Sequence, residues 1–202
     1  MKLFYSPGAC SLSPHIALRE AGLPFELEQV NLSEKKTKNN VDYLSVNPKG
    51  YVPALLLDDG RLLTEGAVIV QYVADQRPGA RLAPPPASFE RYRLQEWLNL
   101  IGTELHKGLG PINNPKSNSE IKEFYRDRVS ARFQVVAKAV ATKGYLLGEE
   151  YSVADGYLYY TLRGWRKIVG ADFGDSAPLR AYFERIGARD AVKAALAAEG
   201  LA

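Results

Sequence analysis

The chain carries a single cysteine, Cys10, and the position of this residue favours thiol chemistry. It follows a strand-like run and a Pro-Gly turn and comes directly before a helical pattern, in the stretch YSPGACS at residues 5–11. Backbone N–H groups and the dipole at a helix N-terminus lower the pKa of a thiol, and the same groups bind anions. Without a second cysteine, Cys10 forms no internal disulfide. It is therefore either reactive or a small buried hydrophobic residue, and Ser11 competes with it as the helix N-cap.

A Val-Pro pair, Val52-Pro53, stands at the head of an apolar run. Proline cannot donate to a sheet ladder, so it belongs at the start or the edge of a strand. The backbone of Val52 is then exposed, and an extended peptide ligand could pair with it as an added strand. The alternative is a proline that only begins a strand.

The next candidate is the helix start Thr64-Glu65-Gly66. Gly66 permits a close backbone approach, so that a ligand carboxylate could bind the N–H groups there, and Glu65 could bind a ligand ammonium. The alternative is that Thr64 or Glu65 only caps the helix and complements its dipole.

The last candidate set lies on a helix that contains EWLNLIGTELHKG, residues 96–108. At about 100° per residue, Asn99, Thr103 and His106 share one polar face opposite an apolar stripe, Glu104 points away from them, and Lys107 lies between. A polar face is usually a solvated surface. The combination of His, Asn and Thr with glycines nearby indicates instead the lining of a cleft.

These residues need a scaffold, and the sequence pattern predicts two domains. The first, residues 1–77, is a small α/β domain: a β-α-β unit with parallel strands, then a hairpin and a helix on a mixed sheet. Its strands are predicted at 2–5, 25–30, 52–57 and 61–64, and its helices at 11–21 and 65–76. Residues 78–87, rich in proline, form a linker. An all-α domain is predicted over 88–202, with helices at roughly 88–111, 120–142, 153–169, 176–187 and 189–198.

Length and composition exclude several classes of protein. With 202 residues, 46% apolar and 24% charged, the chain is an ordinary globular protein of one large or two small domains. A net charge of +3 is too small to predict a nucleic-acid partner, and no apolar run approaches the ~20 residues of a membrane span. The N-terminus does not have the pattern of a secretory signal, so we expect a cytoplasmic protein. The two histidines are far apart in the sequence, which predicts no metal site.

Taken together, these features resemble the soluble glutathione S-transferases. The stretches FYSPGACSLSPHIALREAGLPFE, NPKGYVPALLLDDGRLLTEGAVIVQYVAD and EWLNLIGTELHKG look like the bacterial beta class, whose hallmark is a cysteine at the start of the first helix. Ser152 and Asp155 match the family's capping box in the second domain. The resemblance covers essentially the whole chain and implies a thioredoxin-like domain followed by a helical bundle domain.

The resemblance also implies roles for particular residues. Cys10 would be the active-site residue, close enough to the sulfur of glutathione to form a mixed disulfide, with His106 as its hydrogen-bonding or acid-base partner. Val52, before a cis Pro53, would pair its backbone with the cysteinyl part of glutathione. Gly66 replaces the serine that is common in the family, so that only a backbone contact to the γ-glutamyl end remains. Glutathione would contact Ala9, Cys10, Lys35, Val52, Glu65, Gly66, Asn99, Thr103, Glu104, His106 and Lys107.

Within this set, Lys35 would reach the glycine carboxylate, and Glu104 would reach the glutathione of the partner subunit in a homodimer. The second substrate, a small electrophile, is not identified by the sequence. Its pocket could be lined by apolar and aromatic residues that are equally plausible as core: Tyr5, Leu109, Pro111, Tyr157 and Trp165.

The sequence is compatible with three functions. The first is a transferase that activates the thiol of glutathione for attack on an electrophilic carbon. The second is a glutathione-dependent thiol-disulfide oxidoreductase or peroxidase, which a lone Cys10 restricts to a monothiol route. The third is a non-catalytic ligand-binding protein that keeps only the fold. Retention of Cys10, Glu65, Asn99, Glu104 and His106 together favours an enzyme.

Overall fold

The N-terminal part of the chain forms a mixed five-stranded sheet in which the strands, counted along the chain, lie in the order third, second, first, fourth and fifth. The structure is a computed structural model and describes residues 1–201. Strand β1, Lys2–Tyr5, is central, and this explains why Leu3, Phe4 and Tyr5 are all buried although they face opposite sides of the sheet. It pairs in parallel with β2, Glu26–Asn31, across helix α1, Leu12–Glu20. The predicted β-α-β unit is confirmed.

The predicted hairpin is also confirmed. Strand β4, Ala54–Leu56, pairs antiparallel with β1 on one side and with β5, Leu62–Thr64, on the other. Helix α3, Gly66–Gln76, follows directly. The peptide bond between Val52 and Pro53 is cis, as the family resemblance implies.

Two elements were not predicted because they are too short to show a period. Strand β3, Lys36–Thr37, pairs antiparallel with the end of β2, and helix α2, Tyr43–Val46, is capped by Asp42, whose carboxylate accepts from Leu44 N. Tyr43 packs in the core of the sheet with Phe4, and its hydroxyl donates to Tyr51 O at 2.8 Å. Burial raises the pKa of this phenol. The segment between β2 and β4 is therefore anchored rather than an open loop.

The chain divides into two compact units, and their bounds differ from the predicted domains. The first contains Met1–Ala83 and also the residues from Ala188 on; the second is Pro84–Gly187. Helix α9, Asp190–Ala198, buries one apolar face and packs against α1. The sequence pattern predicted α9 within the helical domain, because an amphipathic pattern shows that one face of a helix is buried but not which element covers that face.

The second unit is helical. Its elements, which follow a 3₁₀ turn at Pro78–Ala80 in the first unit, are α4 (Phe89–Leu100), a π-helix (Ile101–His106), α5 (Lys107–Asn113), α6 (Ser119–Lys143), α7 (Val153–Val169) and α8 (Ala177–Gly187). Phe133 of α6 stacks on Trp165 of α7 with ring centroids 5.2 Å apart. None of the helices within residues 1–201 combines the length and the apolarity needed to cross a membrane.

The start of α7 is fixed by a buried carboxylate. Asp155 accepts hydrogen bonds from Ser152 N and Ser152 Oγ, both at 2.8 Å. The bond from Ser152 N, together with the contact of the Ser152 side chain with the backbone of Asp155, forms the capping box that the sequence indicates. Asp155 also accepts from Leu146 N at 2.9 Å and from Tyr182 Oη at 2.7 Å. Burial raises the pKa of Asp155, and these donors oppose that effect.

Candidate functional site

The sheet topology brings the first group of candidate residues to one end of the sheet. Phe4 of β1 is paired with Ala54 of β4, and Ala54 is paired with Thr64 of β5. Because both pairs are antiparallel, the segment after β1, the residues before β4 and the segment after β5 emerge at the same end. Strand β2 is parallel to β1, so the segment that follows β2 and carries Lys35 also leaves at this end. These connections and the first residue of α3 carry six candidate residues: Ala9, Cys10, Lys35, Val52, Glu65 and Gly66.

Cys10 is half-buried, and its thiol lies against the backbone of Val52. Its Sγ donates to Val52 O at 3.2 Å. The preceding loop is closed by a turn in which Ala9 N donates to Ser6 O. Ser11 stands at the N-cap position of α1, but its hydroxyl bonds the N and O atoms of Ser6 rather than a helix N–H group. The backbone at the start of α1 is thus not capped by the competing serine side chain.

Glu65 adopts a backbone conformation that is uncommon for a residue with a side chain. Glu65 is the N-cap residue of α3, with a φ of 70° and a ψ of 113°, and its side chain is 67% exposed. Lys49 Nζ donates to Glu65 Oε1 at 3.1 Å and to Thr64 Oγ1 at 2.9 Å. Backbone strain of this kind is common at ligand-binding sites. Lys49 is not indicated by the sequence, because no local pattern links a lysine in the turn before β4 to the start of α3.

Lys35 holds its ammonium group beside the loop that leads to Val52. Its Nζ donates to Gly50 O at 2.9 Å and lies 5.5 Å from the centre of the Tyr51 ring. The cation is therefore fixed at the same end of the sheet as Cys10, where it could receive a carboxylate.

The second group of candidate residues lies on the π-helix and its two neighbours. Asn99, Thr103 and Lys107 are exposed, and His106 is half-buried. Thr103 Oγ1 donates to Asn99 O at 2.9 Å. A π-helix closes i→i+5 hydrogen bonds and turns less per residue than an α-helix, so the faces deduced with 100° per residue do not carry through residues 101–106. Such π-segments are frequent at functional sites.

His106 is held between two tyrosines of α7. Its Nδ1 lies 2.9 Å from the Tyr157 hydroxyl, and its Nε2 lies 3.3 Å from the Tyr160 hydroxyl. Burial, and secondarily the charge of Lys107, lowers the pKa of His106 to about 4. The imidazole is therefore neutral near pH 7, with one ring nitrogen able to donate and the other able to accept a hydrogen bond.

Sequence reasoning missed Tyr160 and gave Tyr157 only a place in the electrophile pocket. The spacing of three residues places both tyrosines on one face of α7, but that face could be assigned to His106 only from the structure. Gly102 lies beside Tyr157: a Cβ there would be 3.5 Å from the Tyr157 hydroxyl, an ordinary van der Waals contact. Trp165, the other aromatic residue considered for this pocket in α7, is buried against Phe133 instead.

Glu104 forms a double ion pair within its own unit. Arg128 Nη2 donates to both carboxylate oxygens at 3.0 Å, and Arg132 Nε donates to Glu104 Oε2 at 3.2 Å. Hydrogen bonds from the two guanidinium groups lower the pKa of this carboxyl. Neither arginine is indicated by the sequence near Glu104, because both lie on α6, more than twenty residues away.

The structure therefore places the sequence-predicted residues in two groups. The connections at one end of the sheet and the first residue of α3 hold Ala9, Cys10, Lys35, Val52, Glu65 and Gly66, and the α4–α5 region holds Asn99, Thr103, Glu104, His106 and Lys107. Within residues 1–201, no set of three or more His, Cys, Asp or Glu side chains is grouped to hold a metal ion.

Two family models match the chain. They are the glutathione S-transferase N-terminal domain, over residues 8–76, and the glutathione S-transferase C-terminal domain, over residues 104–199. Among curated proteins, Glutathione S-transferase GstA of Escherichia coli O157:H7 is 46% identical over 201 residues, which cover 100% of both chains.

Solved structures give the same result. A ternary complex of BphK, a bacterial GST, has a TM-score of 0.96 and 58% identity. A sphingomonad glutathione S-transferase complexed with glutathione has a TM-score of 0.94 and 48% identity. A bacterial beta class glutathione S-transferase of Sphingomonas chungbukensis has a TM-score of 0.94 and 47% identity. In each case the match covers 100% of both chains.

Proposed function

The chain belongs to the glutathione S-transferase family, and from that premise we propose that it joins the thiol of glutathione to small electrophilic molecules, with Cys10 and His106 as its catalytic residues. Glutathione is the co-substrate. The observation that carries the proposal is the meeting of a thiol, an exposed helix start, a fixed ammonium group and the Val52 backbone at one end of the sheet.

The chemistry of glutathione matches this set of groups. The tripeptide has a thiol, an ammonium group and two carboxylates on an extended backbone. In our proposal Lys35 binds the glycine carboxylate, Val52 pairs with the cysteinyl backbone, and the helix start at Glu65 and Gly66 holds the γ-glutamyl ammonium and carboxylate. Ala9, Asn99, Thr103 and Lys107 contribute the remaining contacts.

The proposed reaction needs a thiolate on glutathione. The thiol gives its proton to solvent, the sulfur attacks an electrophilic carbon, and a C–S bond forms while the leaving group departs with its electron pair. Hydrogen-bond donors near the sulfur lower the pKa of the bound thiol. His106 is neutral near pH 7 and thus serves as a hydrogen-bonding partner rather than as a cationic acid.

A second activity is favoured by the half-exposed thiol of Cys10. Its thiolate can attack a mixed disulfide of glutathione, forming a Cys10–glutathione disulfide and releasing the other thiol. A second glutathione thiolate then attacks this disulfide, giving glutathione disulfide and regenerating the Cys10 thiolate. Atoms and electrons balance without a second cysteine.

The two activities are separated by a Cys10→Ala variant. Thiol-disulfide exchange needs the protein sulfur as the attacking atom, whereas conjugation needs only the sulfur of glutathione. We expect the variant to lose exchange with a mixed disulfide completely and to keep part of the conjugation of an aryl halide. Both rates and the affinity for glutathione are measured on the same preparations.

Equal retention of both activities in Cys10→Ala would show that Cys10 is a packing residue. A wild-type protein that binds glutathione but turns over neither substrate would support the non-catalytic alternative and contradict the proposed function.

We further propose a cytoplasmic homodimer in which Glu104 contacts the partner's glutathione. Phe89 and Tyr92 support an interface, since both are exposed aromatic side chains one turn apart on α4. Glu104→Gln should raise the KM for glutathione, while Glu96→Gln, which removes an exposed carboxylate of α4 paired with Arg93, should not. A monomer in sedimentation equilibrium that binds glutathione normally would refute this proposal.

A further inference from the structure

The C-terminal segment places a buried carboxylate on the loop that carries Cys10. Glu199 follows α9, and its side chain is 0% exposed. Its Oε2 accepts a hydrogen bond from Gly8 N at 2.9 Å, and its Oε1 accepts one from His15 Nδ1 at 2.8 Å. A carboxylate is costly to bury, and these N–H donors offset the cost.

The hydrogen bonds of His15 show which of its two ring nitrogens donates to Glu199. Arg19 Nε donates to His15 Nε2 at 2.9 Å, and a guanidinium can only donate. The proton of the ring is therefore on Nδ1, where it is given to Glu199. The two ring nitrogens of His15 thus connect the carboxylate of Glu199 to the guanidinium of Arg19.

The second contact of Glu199 is with Gly8, which lies in the loop that carries Cys10. Gly8 lies two residues before Cys10 and has a φ of 71°, in the left-handed region that favours glycine. The side chain of Leu201 covers it, since a Cβ on Gly8 would lie 3.6 Å from Leu201 Cδ2. The hydrogen bond from Ala9 N to Ser6 O lies within the loop. The hydrogen bond from Gly8 N to Glu199 instead connects the loop to a residue that is distant in the sequence.

We propose that Glu199 is a positioning residue for Cys10 and the glutathione-binding loop, and that the C-terminal segment is therefore part of the functional apparatus. The proposal rests on the proposed function of the Cys10 site. Glu199 touches neither thiol nor substrate; it acts through the backbone of Gly8.

The competing explanation is that Glu199 only attaches α9 to α1. The chain contains a matched control for it, because Glu20 at the end of α1 forms a two-point ion pair with Arg189 at the start of α9. Glu20 is also largely buried and joins the same two helices, but it does not contact the Cys10 loop.

The test compares Glu199→Gln with Glu20→Gln. In Glu199→Gln the amide NH₂ must face one of the two donors, Gly8 N or His15 Nδ1, and one hydrogen bond is lost. Amide hydrogen exchange in the segment 6–11 and the Kd for glutathione by calorimetry are measured well below the unfolding temperature. Tm is measured by heating the protein across it.

We expect Glu199→Gln to accelerate exchange in residues 6–11 at least tenfold and to weaken glutathione binding about tenfold, since small displacements of positioning groups have effects of this size. Glu20→Gln should lower Tm and leave both other quantities unchanged. If Glu199→Gln does not fold, Glu199→Asp, which keeps the charge on a shorter side chain, should change both quantities in the same direction by a smaller factor.

Unchanged exchange and affinity in the Glu199 variant, or equal changes in the Glu20 variant, would overturn the proposal. Hydrogen exchange is measured without glutathione, and calorimetry needs no turnover. A wild-type protein that lacks conjugating activity would therefore contradict the proposed function and still leave the role of Glu199 measurable.

Discussion

The neutral His106 makes the stability of the protein depend on pH, and the His106→Gln substitution isolates this effect. Burial holds the pKa of His106 at about 4 in the folded chain, whereas an unfolded chain restores an ordinary value of about 6.5. Between these values the unfolded chain binds a proton that the folded chain does not. The free energy of unfolding therefore falls as the pH falls through this window.

The size of the effect follows from the two pKa values. The full difference corresponds to about 3 kcal/mol, and linkage gives a loss of about 2 kcal/mol between about pH 7.5 and about pH 5. The assay is denaturant unfolding of wild type and His106→Gln at both pH values and at matched protein concentration. Other titrating groups are common to both proteins, so the difference between the two pH dependences reports His106 alone.

NMR gives an independent measurement, because the chain has only two histidines, His15 and His106. The imidazole signals that are absent from the His106→Gln spectrum belong to His106. We expect them to titrate near pH 4. A midpoint near 6.5, or a pH dependence of unfolding that is the same in the variant and in wild type, would refute the reasoning from burial.

Two further predictions concern the helix starts at Gly66 and Asp155. A Cβ at Gly66 would lie 3.7 Å from Pro53 Cγ, an ordinary contact, so Gly66→Ser should fold normally and lower the KM for glutathione about fivefold through one added hydrogen bond. Gly66→Ala is the control, and an equal effect in both variants would contradict a role for the hydroxyl. Asp155→Ala leaves buried donors unpaired and should reduce the free energy of unfolding by about 3 kcal/mol or more, against about 1 kcal/mol for Ser152→Ala. Denaturant unfolding measures both, and similar losses would show that Asp155 acts only as a cap.

The sequence predicted the N-terminal architecture because its signals are local. The turn before Cys10, the proline at the head of β4 and the turn residues of the hairpin each mark a strand end. Once the strand order is set, the pairing geometry brings these ends together without any further information. The cis Pro53 came from the family resemblance rather than from a physical argument.

The remaining features depend on partners that are distant in the sequence. Nothing near Glu104 indicates Arg128, and nothing near His106 indicates Tyr160. The π-helix also escaped detection, because the residues of Ile101–His106 are compatible with an ordinary helix and the wider turn becomes visible only in the hydrogen bonds.

The return of α9 to the first unit has a consequence for the order in which the protein folds. Residues 1–83 are synthesised first, but the helix that covers α1 is made only after all of Pro84–Gly187. A ribosome adds about 5–20 residues per second, so the N-terminal sheet waits several seconds for α9 while the helical unit is being synthesised. During this interval the apolar face of α1 that α9 later covers is open to other contacts. The docking of α9 is also the step that places Glu199 against Gly8, so a nascent chain can complete its Cys10 loop only after Pro84–Gly187 has been synthesised.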